Sequence, residues 1–277
     1  MRDKLNRSRL IRALIYSLVI VISAFFVFPI YWMFMTAFKT QFQTFSIPPV
    51  LLFIPVLDNF IVVLQRPLIK YTLNSIIIST GTSSLTIALA ILSAYALARF
   101  RFRGRRPLSL YILSAQMVPP LVVLLPLFIM FSWFNIRGTY LSMIIAQCGF
   151  LLPFSIWMLS GFIAQIPVNL EESAMVDGCS RIKAFFRVTL PLIAPGLAAT
   201  WILVLIFAWN DFLLALILTT EETKTLPLFI TGFRTDRGIE WGPASAAGTV
   251  TVIPILILAL TVQRNLVRGL TMGAVKG

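Results

Sequence analysis

Few side chains in this sequence are equipped for chemistry. There is no histidine, which removes the commonest general base and the commonest metal ligand. Cys148 lies in an apolar run and Cys179 in a polar loop, so the two do not read as a disulfide framework. No Gly-x-x-x-x-Gly-Lys run is present, so the chain lacks the phosphate cradle of an ATPase. Only Asp3, Glu171, Glu172 and Asp177 put carboxylates on one side of the apolar segments. That is too sparse for a membrane enzyme, and no catalytic residue, metal site or cofactor is expected.

One acid is out of place. Asp211 lies inside an apolar stretch, where a charge costs about 2.5–3.5 kcal/mol on insertion scales. It must face protein or water. It either lines a solute path, accepting hydroxyl hydrogen bonds, or ties its helix to a neighbour, with Asn210 beside it. Trp209 and Asn74 are further candidates for a path. Gln116 and Gln147 are weaker ones, and Trp133 and Trp157, near span ends, read as interfacial anchors.

A second concentration of signals lies between Phe162 and Leu197, a connection far longer than a reversal of the chain needs. Pro167 and Asn169 can start a short helix with Glu171 and Glu172 in its first turn. Gly178 can end it in a left-handed conformation. Ser180 can cap a second helix, in which Ile182, Phe185, Phe186 and Leu190 share one face before Pro191 stops it. An apolar stripe on such a projection either docks into a protein surface or lies on the membrane; periodicity leaves both open.

The elements that hold these residues follow from composition. Hydrophobic residues make up 58% of the 277 and charged residues 12%, about half the roughly 25% of a soluble domain. The excess apolar surface must face lipid. Six segments, near 13–37, 74–98, 108–134, 140–162, 197–219 and 244–263, are long enough to span a bilayer as helices. The expected fold class is all-α, a polytopic membrane protein with six transmembrane helices. The first apolar run exceeds the roughly 7–15 residues of a signal-peptide core and reads as a retained helix. Prolines 29, 119, 120, 126, 153 and 254 fall within spans and predict kinks.

Sixteen lysines and arginines fall on the side of the two termini and seven on the other, which places both termini in the cytoplasm. The net charge of +13 sits in short clusters between apolar spans, not on a basic face, so no nucleic acid partner is expected. Two outer segments, 39–73 and 220–243, are long enough to meet an extracytoplasmic partner or merely to link helices.

The run Glu172-Ser173-Ala174, three residues, Gly178, nine residues, then Val188-Thr189-Leu190-Pro191 resembles the coupling-loop motif of ABC importer permeases: Glu-Ala-Ala, three residues, Gly, nine residues, Ile-x-Leu-Pro. Ser173 and Val188 are mild departures. Asn74-Ser75, Trp209-Asn210-Asp211-Phe212, Gln263-Arg264 and the string from Gly269 to Gly277 are similar to the carbohydrate-uptake branch, within it to the smaller permease subunit of maltose-type importers.

The resemblance implies a type I importer permease fold. A single permease domain would cover 1–277, with a cytoplasmic coupling loop at 163–196, in a multi-pass protein of the bacterial inner membrane. It implies coupling to a separate ATPase through 167–191, carried by Glu172, Ala174, Asp177, Gly178, Phe185, Leu190 and Pro191. It implies a second, different permease subunit, two ATP-binding cassette subunits, an extracytoplasmic solute-binding protein and a sugar-like solute. Saccharides, polyols and glycerol phosphate are all compatible. The alternative is a secondary transporter working alone, which would need internal repeats and several buried ionisable groups; one acid and no evident repeat argue against it.

Overall fold

The computed structural model describes residues 2–236 and 238–271, with side chains from 11 to 236 and from 238 to 257. In chain order the helices are α1 (Arg2–Ala37), α2 (Gln41–Thr44), α3 (Asp58–Leu64), α4 (Leu68–Arg99), α5 (Arg105–Ala115), α6 (Pro120–Trp133), α7 (Tyr140–Ala164), α8 (Val168–Val176), α9 (Arg181–Ala184), α10 (Leu190–Trp209), α11 (Leu213–Leu218), α12 (Leu226–Ile230) and α13 (Trp241–Thr271). A π-helical turn, Phe185–Thr189, joins α9 to α10. A two-residue hairpin, β1 (Arg234–Thr235) with β2 (Gly238–Ile239), precedes α13.

The chain forms two compact units. One contains α1 to α3, the hairpin and the start of α13. Here Asn59 donates to the carbonyls of Ala37 at 2.9 Å and Lys39 at 2.8 Å, pinning the end of α1 to α3. Every side chain of α1 from Ile11 to Tyr31 is exposed. An apolar helix with no buried face needs lipid or another protein around it.

The other unit is built on α4, α7 and α10. On α4 the buried residues Ser75, Ser79, Thr82, Ser83, Thr86, Ala90 and Ala94 recur at spacings of three or four. Small residues on one stripe let helices approach closely without a hydrophobic driving force, as lipid requires. Ser79 and Ser83 satisfy their hydroxyls on carbonyls one turn back, at 2.6 and 2.7 Å. On α10, a Cβ at Gly196 would come within 2.6 Å of the Phe162 ring, so α10 can lie this close to α7 only with glycine there.

Among the described residues, four helical runs are long and apolar enough to cross a membrane: Ile11–Ala37, Leu68–Arg99, Tyr140–Ala164 and Arg181–Trp209. α5 and α6 together make a fifth candidate. The expected span 108–134, in which prolines predict kinks, is broken and bent by 89° between them. Pro119 and Pro120 lack amide hydrogens and push the preceding residue out of the helical region, which breaks the ladder there. The expected span 197–219 also differs. Its helix begins far earlier, ends at Trp209 and resumes as α11, with Asn210–Phe212 outside both. The helix that holds the second expected span, 74–98, begins at Leu68. The last expected span, 244–263, falls within α13, whose described apolar stretch is Trp241–Ile257. Side chains of 258–271 and all of 272–277, which include most of the C-terminal string, lie outside the described residues.

Candidate functional site

The long connection folds as its punctuation predicts, up to a point. Pro167 precedes the first turn of α8. Gly178 has φ +87°, the left-handed conformation expected of it. Around it the amide of Cys179 bonds to the Ala174 carbonyl at 3.0 Å and that of Gly178 to Met175 at 3.1 Å, the paired closure of a Schellman cap. Ser180 then accepts from the Lys183 amide at 3.4 Å and caps α9.

Beyond α9 two expectations fail. Pro191 does not stop the helix. It stands in the first turn of α10, and the turn before it widens so that the Leu190 amide bonds to the Phe185 carbonyl, five residues back. A π turn tolerates the missing proline donor without ending the helix. The expected single stripe also divides: Ile182 and Phe186 are exposed, whereas Phe185 is buried at 5% exposure. Phe185 packs edge-on against Tyr95 of α4 with ring centres 4.7 Å apart. It holds the loop to its own chain and offers no surface to a partner.

The strongest anchor was not singled out from sequence. Glu171, on α8, is 4% exposed. One carboxylate oxygen accepts from Arg99 Nε at 2.7 Å and from Thr189 Oγ1 at 2.6 Å. The other accepts from the Tyr95 hydroxyl at 2.9 Å. Arg99 also donates to the Ile166 carbonyl at 3.0 Å. Burial by itself opposes ionisation of Glu171. The hydrogen bonds from Thr189, Arg99 and Tyr95 outweigh it and hold the carboxyl below its ordinary range. The end of α4, the start of α8 and the π turn thus meet on one ionised carboxylate. The only hint in the sequence is an acid in the first turn of a short helix.

With that side fastened, the rest of the loop faces outward. Glu172, Asp177, Gly178 and Pro191 are exposed, and Ala174 and Leu190 are half-buried. Val176, at 87% exposure, and Ile182, at 71%, add apolar area to the same loop.

The candidates for a solute path separate as well. Asn74 is buried: its amide donates to the Glu222 and Lys224 carbonyls, both at 2.9 Å, and its oxygen accepts from Tyr140 at 2.7 Å. Trp209 is also buried. Both serve packing within the chain, not an open path. Asn210 is exposed, with its amide on the Ile206 carbonyl at 2.8 Å.

Asp211 does two things. One oxygen accepts from the Leu214 amide at 3.2 Å, capping α11 where the backbone resumes its helix. The other accepts from Gln147 of α7 at 3.1 Å. Gln147 is itself held by the Ala208 carbonyl at 3.0 Å and by Thr82 Oγ1 at 2.8 Å. Asp211 also lines a cavity of about 190 Å³ with Pro120, Phe150, Phe207 and Leu213. The tie to a neighbouring helix and the access to open space coexist. Trp133 closes α6, and both it and Trp157 are exposed.

Residues 86–272 match the model of a family described as the binding-protein-dependent transport system inner membrane component. The chain belongs to that family. This makes the permease a non-catalytic, multi-pass component of the inner membrane that works with a solute-binding protein and an ATPase. Over 254 residues it is 41% identical to a diacetylchitobiose uptake system permease protein of Streptomyces coelicolor, covering 91% of this chain and 92% of the relative. It is 38% identical to a trehalose transport system permease protein of Mycobacterium tuberculosis, over 90% of this chain and 92% of the relative. It is 36% identical to a trehalose/maltose transport system permease protein of Thermococcus litoralis, over 90% and 91%. The permease also shares its fold with a chain of a bacterial ABC transporter that imports the acidic polysaccharide alginate. The TM-score is 0.77 at 20% identity, over 92% of this chain and 96% of that one. Together these favour an ATP-driven importer over a transporter acting alone.

Proposed function

We propose that the chain is one of two different permease subunits enclosing the path of an importer for a sugar-like solute, and that residues 167–191 couple it to a separate ATPase. Three relatives named for saccharide uptake, each matched over about nine-tenths of this chain, support the solute class. The exposed apolar length of α1 supports a second subunit beside it. The sixteen-to-seven division of basic residues supports six spans with both termini in the cytoplasm.

One observation carries the coupling assignment. α8 presents Glu172 and Asp177 outward while Glu171, one residue away, is locked to Arg99 at the end of α4. A push on the exposed face therefore reaches a spanning helix through a buried ion pair, not through a slack loop. Glu172→Lys in the complete transporter should weaken ATPase co-purification or uncouple hydrolysis from uptake, at unchanged expression. Wild-type values for both would remove the assignment. Orientation is tested separately. With Cys148 and Cys179 replaced by serine, Val176→Cys should react with an impermeant thiol reagent only from the cytoplasmic side.

A further inference from the structure

A groove of about 410 Å³ lies between the end of α4, α5 and the second half of α7. Its polarity is graded. Arg105 opens α5 and Gln165 follows α7, and both stand at the mouth with Ser109 one turn further in. Deeper along the helices the walls are Ile112, Ile156 and Trp157. None of this belongs to the coupling face or to the cavity at Asp211.

The mouth is strongly basic. Arg101, Arg103, Arg105 and Arg106 are all exposed, and none has an ion pair among the described residues. Their neighbour Arg99 is the one committed to Glu171. A long apolar groove running from an unneutralised arginine cluster into the membrane-spanning region has the shape of a lipid: an anion at the interface, a chain within. We propose that this groove binds a phospholipid with an anionic headgroup, the phosphate held by Arg105 and its neighbours and an acyl chain lying against Ile112, Ile156 and Trp157. The charge decides the occupant. A helix of another subunit would fill the apolar walls but would leave four arginines without counter-charge. A zwitterionic lipid would bring its own cation to the same place.

Gly161 provides a clean test, because it lines the groove and a Cβ there meets nothing within 4 Å. Gly161→Phe should fill the space while leaving both the fold and every charge in place. The complete transporter, extracted from vesicles of mixed phosphatidylglycerol and phosphatidylcholine and washed in detergent, is analysed for retained phospholipid by mass spectrometry. Wild type should retain phosphatidylglycerol in preference to phosphatidylcholine. Arg105→Gln should lower retention about fivefold, the typical effect of one basic residue at an anionic surface. Gly161→Phe should lower it as far with the arginines intact. Equal retention in wild type and Gly161→Phe would reduce the effect to surface charge and overturn the groove. No preference between the two lipids would overturn the headgroup. A disulfide formed between Gly161→Cys and a cysteine on another subunit would give the groove to that subunit instead. Lipid retention needs neither ATP nor solute, so it can fail while the transport assignment stands, and the reverse.

Discussion

Two carboxylates, one buried and one half-buried, show what a membrane protein can do with an acid. Glu171 meets three donating side chains, one of them fully charged, and is closed off. Asp211 meets an amide side chain and a backbone amide, has no cationic partner among the described residues, and borders open space. The first arrangement is a joint. Its geometry is over-determined and its charge is neutralised on the spot. The second retains acceptor capacity, since a carboxylate has about four lone-pair sites, and it stands where the helix is interrupted. Rigidity is placed at the loop and adaptability at the break between α10 and α11.

The largest expected effect breaks the joint. Glu171→Leu leaves Arg99 buried and unpaired, which costs about 3–5 kcal/mol. Thermal unfolding of the complex in detergent should show it, and Arg99→Leu in the same protein should recover part of the loss. If Glu171→Leu alone is as stable as wild type, the two acids do not differ in kind. Next is Asp211. The leucine variant leaves Gln147 and the Leu214 amide without their partner, at about 1–3 kcal/mol each. Asp211→Asn keeps an acceptor and should retain more uptake and more stability. Equal behaviour of the two variants would deny Asp211 either role.

A smaller effect concerns Gly178. A Cβ there meets nothing, so only conformation is at stake. Gly178→Val should cost about 1–2 kcal/mol for the left-handed backbone. Gly178→Asn should cost less, since asparagine visits that region readily. Thermal unfolding distinguishes them. Smallest near neutrality is the pH effect. Glu171 is held below the ordinary glutamate value of about 4.3. Its contribution is therefore complete above that value and is lost as pH falls through the lowered one. Unfolding midpoints of wild type should fall more steeply than those of Glu171→Gln on acidification below about pH 4, and should run parallel above it.

Local signals were legible and distant pairings were not. Gly178 and Ser180 read correctly because a cap is decided within a few residues. Apolar length marked the spans, and Asp211 announced itself by being charged among leucines and alanines. Glu171 was passed over because Arg99, 72 positions away in sequence, comes beside it only after folding. The 89° bend follows from two adjacent prolines, but whether such a pair kinks or breaks a helix depends on what packs around it. Phe185 was placed on a docking face because periodicity tells which residues share a side but not which neighbour covers them, here Tyr95 of α4.

That widened turn bears on chain length. Between the cap at Ser180 and the buried Ile193, the five-residue reach from Leu190 back to Phe185 absorbs one residue more than a regular helix would. Deleting a single residue within it would close the ordinary four-residue ladder and leave the faces of α10 where they are, because the wide turn already takes up the extra residue. The same deletion in the regular part of α10 would rotate all that follows by about 100° and carry its buried residues away from α4 and α7. The permease should therefore tolerate the loss of a residue at the turn far better than a few residues further along.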